Sequence, residues 1–320
     1  MAVGHSFEFE TPGVRDLDRV RCHVWRYYCI LAAWPAFLLC APGLIKLYGG
    51  WSLTVIAPLG IYLFNWLALL LHESWHRYMP GFNNDAFFRW SSRMLALDPQ
   101  LFRLIHAHHH TRVSTWDDIE VHPFGNIQSR PLRIANNLLE LMLGMLWIVV
   151  GWHINVPLTQ EYRAGYSVRS LLISTTWTLL FLALLFLGAT FLLGATPGEI
   201  ITAWALIFWL GGLFLHHSTL IQHGNLIVEG DIRERNRWVR GLRPAGIVER
   251  VFLVLTQQDQ VLHHWDPRAY HRLFRNNLRD KPHDAVLIDL RDYLILVTDI
   301  VLGHETEHTK LGIRTPASCP

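Results

Sequence analysis

The 320-residue chain is 51% hydrophobic, has a mean hydropathy of +0.20 and carries only 17% charged residues, against about 25% in soluble domains. That composition excludes an ordinary water-soluble globule and points to a membrane protein. A formal net charge of +2, with arginines scattered between apolar segments, implies no nucleic acid or other polyanion as partner.

The first 23 residues are polar and include Glu8, Glu10, Asp16 and Asp18, unlike the basic and then apolar layout of a cleaved signal peptide. Cys22, Cys29 and Cys40 lie in or just before the first apolar segment. With Cys319 they show no CxxC spacing, so they read as packing residues in a reducing compartment. Four apolar segments, about 25–47, 53–71, 170–193 and 200–221, are each long enough to cross a hydrocarbon layer of roughly 30 Å as a helix. The short turns at 48–52 and 194–199 contain no Lys or Arg, which predicts two helical hairpins with non-cytoplasmic tips. Residues 72–137 hold seven arginines, and the N-terminus and the region after His223 are also Arg-rich. The positive-inside rule therefore places these segments and both chain ends in the cytoplasm.

The apolar run 138–157 contains Glu140 and His153. If it crossed, the histidines at 72–110 and those at 216–264 would lie on opposite membrane faces, so it is assigned as interfacial or re-entrant. Residues 284–303 mix apolar side chains with Asp289, Arg291, Asp292 and Asp299, the pattern of an amphipathic helix on the cytoplasmic part or the membrane surface. The expected architecture is one all-α integral membrane domain over residues 1–320. It has two transmembrane hairpins, a cytoplasmic helical cap, an interfacial helix and a cytoplasmic C-terminal part at 222–320. Most of the fourteen tryptophans suit interfacial belts, while Trp75 and Trp265 stand beside histidines and are candidates for lining a substrate tunnel.

Nineteen histidines are the unusual feature. His72 and His76 in HESWH follow the second apolar segment at i, i+4, which puts both imidazoles on one helical face within reach of one metal. His106, His109 and His110 in HAHHH form an HxxHH pattern, and QVLHH presents Gln260, His263 and His264. His223 lies at the end of the fourth segment. Imidazole suits iron, zinc and copper alike, and some eight ligands exceed the four of a tetrahedral zinc, so two metals are implied. His108 is expected to face away from its neighbours and act as an orienting partner. His216, two helical turns before His223, is the alternative ligand to it. Asp117 and Asp118 are candidates to orient ligand rings through the second ring nitrogen. His217 and His153 read as hydrogen-bonded core or interfacial residues, and His304 and His308 as part of a solvated tail.

These motifs resemble the three histidine boxes of the membrane fatty acid desaturase and hydroxylase superfamily. The resemblance runs from the first span to about residue 275 and includes the later HHWDPRAYHRL; HESWHR is also similar to the first box of alkane hydroxylases. It implies a non-haem di-iron centre held by His72, His76, His106, His109, His110, His263, His264 and His223. Gln260 stands where many members have His, which leaves open whether that position coordinates. No HPGG segment of a cytochrome b5 domain occurs. The implied reaction is O₂-dependent attack on a C–H bond of a lipid, with electrons from an external donor of ferredoxin or cytochrome b5 type. Desaturation of an acyl chain is the first reading. Hydroxylation or oxygenation of a lipid, alkane, sterol or carotenoid is the alternative. HESWH also satisfies the HExxH of zinc proteases, with Glu73 activating water, but this leaves the other boxes without a role. A carboxylate di-iron site lacks its partner glutamates. A non-enzymatic metal-binding receptor or transporter is the third alternative.

Overall fold

The computed structural model describes residues 24–77, 83–158, 165–256, 261–265 and 286–303. Residues 1–23, with Cys22, lie outside these, as do Gln260, His304, His308 and Cys319.

Helix α1 (Val24–Tyr48) and helix α2 (Leu53–Trp75) form one continuous apolar stretch broken only by a 3-10 turn at Gly49–Ser52. The chain folds back at that turn, because the ring of Trp34 lies 5.9 Å from that of Phe64. Next come α3 (Asn84–Met94) and α4 (Pro99–Arg112). The Asn83 and Asp98 side chains accept from the Ala86 and Leu101 amides and so satisfy donors that the first turns leave open. Helix α5 (Arg130–Leu143) and helix α6 (Met145–Leu158) follow, then the long α7 (Val168–Leu193) and α8 (Pro197–His223). A capping box of Thr196 and Glu199 starts α8. Small elements complete the fold: α9 (Ile232–Arg237), β1 (Gly241–Leu242), α10 (Ile247–Thr256), α11 (Val261–Trp265), β2 (Leu287–Ile288) and α12 (Leu290–Leu302). The two strands pair in parallel, Gly241 with Leu287 and Leu242 with Ile288.

Three stretches are long and apolar enough to cross a membrane: Tyr27–Trp75, Val168–Leu193 and Pro197–His223. The first comprises the folded-back pair α1 and α2. Helix α7 makes the strongest physical case for lipid, because Leu172, Leu179, Leu184, Phe191 and Leu192 are all exposed along it. Such an apolar face is costly in water, at roughly 25 cal/mol per Å², and neutral in hydrocarbon. Cys29 and Cys40, expected to pack in the interior, are instead exposed on α1; on an outer helix of such a bundle a thiol needs no polar partner.

The core gathers where α1, α2 and α8 meet. Trp34, Leu38, Leu67 and Ile207 are fully buried, and the rings of Trp34, Phe64 and Phe208 pack edge to face with centroids 5.7–6.0 Å apart. The 138–157 run is not one helix. It breaks at Gly144, whose φ of +57° and ψ of −132° define a region essentially reserved for glycine. A Cβ there would also lie 2.6 Å from Leu213 Cα. The break leaves α5 and α6 with 14 residues each, about 21 Å of helix, short of the roughly 30 Å of a bilayer core. Helix α12, within the 284–303 run, starts with an Asp289–Asp292 capping box. It buries Leu296 and Ile300 against Leu220 of α8 and Leu141 of α5.

Candidate metal centre

The C-terminal end of α2 brings His72, Glu73 and His76 into a buried position, and α4 meets it with the second box. The helical repeat then divides that box. His106 and His110, four residues apart, share one face of α4, whereas His109 is turned about 100° from His110. Two clusters result. His72, His76, His106 and His110 form one, and His109, His223 and His264 form the other; within each the candidate ligand atoms lie within 4.8 Å of one another. The adjacent pair on α11 is divided likewise. His263 packs against His72 and His76, with ring centroids 4.9 and 4.4 Å away, while His264 packs against His109 and His223 at 5.3 and 4.8 Å.

In the first cluster the Nε2 atoms of His76, His106 and His110 form a triangle 3.2 Å on each side, and His263 Nε2 is 3.4 Å from His110 Nε2. Imidazole nitrogens bound to one ion at about 2.1 Å with angles of 90–110° lie about 3.0–3.4 Å apart. In the second cluster both ring nitrogens of His223, and Nε2 of His264, are buried without a hydrogen-bond partner. Buried polar atoms are rarely left so, and coordination would satisfy them. The residues therefore fit two metal ions.

Orienting contacts surround the rings. His106 Nδ1 donates to Glu120 Oε2 at 2.8 Å, His109 Nδ1 to Asp118 Oδ2 at 2.8 Å, and His264 Nδ1 to Asn236 Oδ1 at 2.9 Å. Each such bond fixes the tautomer and leaves Nε2 as the ligand atom. Burial opposes charge on His109, but Asp118 and then Glu120 outweigh it and hold this imidazole up at about 9. Burial first, and then neighbouring histidines, hold His76, His110 and His264 well below the ordinary imidazole value. Burial would raise the Glu120 carboxyl, yet His106 and His109 bring it below its usual range.

The remaining candidates fall elsewhere. Among the described residues neither cluster contains His108, which is half-buried on α4. Asp117 is exposed, 3.9 Å from Arg112. His216 faces Glu140 across 3.1 Å. His217 is engaged with the Tyr293 hydroxyl and the Leu141 carbonyl, and His153 with the Val149 carbonyl. Trp75 lies parallel to His110 with centroids 5.8 Å apart and so packs against the histidines. Glu120, Asn236 and Glu140 are site neighbours that the motifs do not mark. The acidic run after the second box was a signal for Glu120; Asn236, 28 residues before its partner, had none.

A cavity of about 160 Å³ ends at these rings. His72, His109 and His223 form one part of its lining, and Phe64, Ala68, Val149, Trp152, Phe208 and Leu215 supply apolar walls. Its walls are mostly apolar, with Glu120, His216 and Thr219 among the polar groups of the lining.

The family model described as fatty acid desaturase matches residues 49–285, a span that runs from the first turn past the last histidine box. Among curated proteins and among solved structures, nothing matches the chain.

Proposed function

The chain belongs to the fatty acid desaturase family, and on that premise we propose that it is a single-domain, multi-pass di-iron oxidoreductase that desaturates a fatty acyl or related lipid chain with O₂. The observation that carries this reading is the convergence of two histidine clusters at the end of an apolar cavity. The four long helices α1, α2, α7 and α8 act as spans, with α5 and α6 at the interface and the metal centre and both termini on the cytoplasmic side.

His72, His76, His106, His110 and His263 would hold one iron, and His109, His223 and His264 the other. When bound, the two ions supply the O₂ activation and C–H cleavage that no side chain can perform. The protein supplies position. Phe64, Phe208 and Trp152 hold the chain in a water-poor cavity, and Asp118, Glu120 and Asn236 keep three rings in fixed tautomers. Electrons come from an external donor of ferredoxin or cytochrome b5 type. The zinc-protease alternative accounts for His72, Glu73 and His76 and gives no role to the His106 and His110 nitrogens 3.2 Å from His76.

Lipid profiling of cells expressing the wild type or His109→Ala, with iron analysis of the purified proteins, tests the reading. The wild type is expected to carry two irons per chain and to make an unsaturated product, and the variant to lose both. One zinc per chain, or full product formation by an iron-loaded variant, would overturn it.

A further inference from the structure

We propose that Glu140 and His216 form a proton-delivery pair that links a polar cavity at the surface of the cap to the apolar cavity at the metal centre. The proposal rests on the O₂-dependent reading above and adds a route that this reading leaves open. Removing two hydrogens from a chain and reducing O₂ to two waters, with two electrons from the donor, takes up two protons from solvent. Hydroxylation by O₂ with the same two electrons takes up two as well. The walls of the apolar cavity are mostly Phe, Leu, Val, Met and Trp, which cannot pass a proton; besides the histidines its polar lining is Thr219 and Glu120, and Glu120 is already engaged by His106.

The two residues stand where the crossing has to be made. His216 lines the same cavity as His72, His109 and His223. Glu140 lines a second cavity of about 50 Å³, whose wall includes His122, Arg133, Asn136, Asn137 and Asn225; all five are half-buried. His216 Nε2 and Glu140 Oε1 are 3.1 Å apart, with the side chains 2% and 12% exposed, a contact by distance without hydrogen-bond alignment, and the pair stands between the polar cavity and the apolar one. A carboxylate and an imidazole in that position are costly to bury without use.

Two further histidines, His122 and His217, lie within electrostatic reach of both members of the pair. His217 is tied to Tyr293 and Leu141. His122 packs on Trp116 with ring centroids 4.9 Å apart, beside the polar cavity. In the transfer, solvent protonates Glu140. Glu140 passes that proton to His216 Nε2, the imidazolium releases its Nδ1 proton on the cavity side, where the reduction of O₂ consumes it, and a flip of the ring then restores Nε2 as the acceptor. His216 thus acts as a proton donor rather than as the ligand that its place seven residues before His223 allowed.

The test compares wild type with Glu140→Gln, Glu140→Asp and His216→Phe, each purified with iron. Glu140→Gln and His216→Phe are expected to keep wild-type iron content, and Glu140→Gln, which lies outside the apolar cavity lining, also the wild-type lipid Kd, while kcat falls on the order of 100-fold. The solvent deuterium isotope effect on kcat should grow in Glu140→Gln, and Glu140→Asp should recover part of the rate. In the metal-free protein, deuterium exchange at the His216 ring carbon should slow severalfold in Glu140→Gln, with His153 unaffected. Loss of iron in His216→Phe would make His216 a ligand and overturn the proposal. So would a weakened lipid Kd with an unchanged isotope effect, which would make the pair a site for a polar group of the substrate. A wild type that consumes no O₂ would instead defeat the underlying reading.

Discussion

Asp118 Oδ2 accepts a hydrogen bond from His109 Nδ1 at 2.8 Å, with both side chains about 1% exposed. A buried carboxylate paired with a buried imidazole fixes the ring and raises its basicity toward a metal. Asp118→Asn keeps an acceptor but removes the charge, and Asp118→Ala removes both. Iron affinity of the second cluster is expected to fall about tenfold in the first and up to about 100-fold in the second. Competition with a chelator, together with iron per chain, checks this.

The same pair sets a pH dependence in the metal-free protein. His109 is held at about 9, above its ordinary 6.5, so it is protonated at neutral pH and must lose that proton to bind a metal. Apparent affinity should rise about tenfold per pH unit up to about pH 9 and then level off, which metal titrations at several pH values measure. Because the folded value is raised, the pair's contribution to stability is full below about pH 6.5 and is lost as pH rises through about 9. Thermal unfolding of the metal-free protein should follow that course.

Gly144 separates α5 from α6 at a positive φ, against the backbone of Leu213. Gly144→Ala adds a Cβ in a disallowed conformation and in contact with α8. It is expected to destabilise the protein by about 2 kcal/mol or more, seen as a lower Tm in detergent.

Ala68 lines the cavity beside Phe64 and Leu71. Ala68→Phe should narrow the path and lower kcat/KM for long acyl chains by at least about tenfold. Iron per chain is expected to stay at the wild-type level, which separates the effect from damage to the centre.

Much of the frame was legible in the sequence because membrane spans and histidine boxes are local patterns. The four apolar segments correspond to α1, α2, α7 and α8, and the three boxes and His223 come together. What local pattern does not carry is how the boxes divide. His109 and His110 are neighbours in the chain yet belong to different clusters, and this appears only once α4 has a direction relative to α2 and α8. Glu120, Asn236 and Glu140 were missed for the same reason. Their partners lie 14, 28 and 76 residues away on elements whose docking no spacing rule expresses. In the sequence alone, Glu140 marks only an obstacle to membrane crossing. Gly144 was one more residue in an apolar run until the backbone showed that no other side chain fits.

Far from the histidines, Lys46 Nζ donates to the carbonyls of Leu193 and Gly194 at 3.2 and 2.7 Å. This ammonium ties the end of α1 to the start of the α7–α8 turn, so the tips of the two hairpins are laced together. Any parting of these helices then hinges at the laced tips and opens at the opposite end, where the two histidine clusters lie.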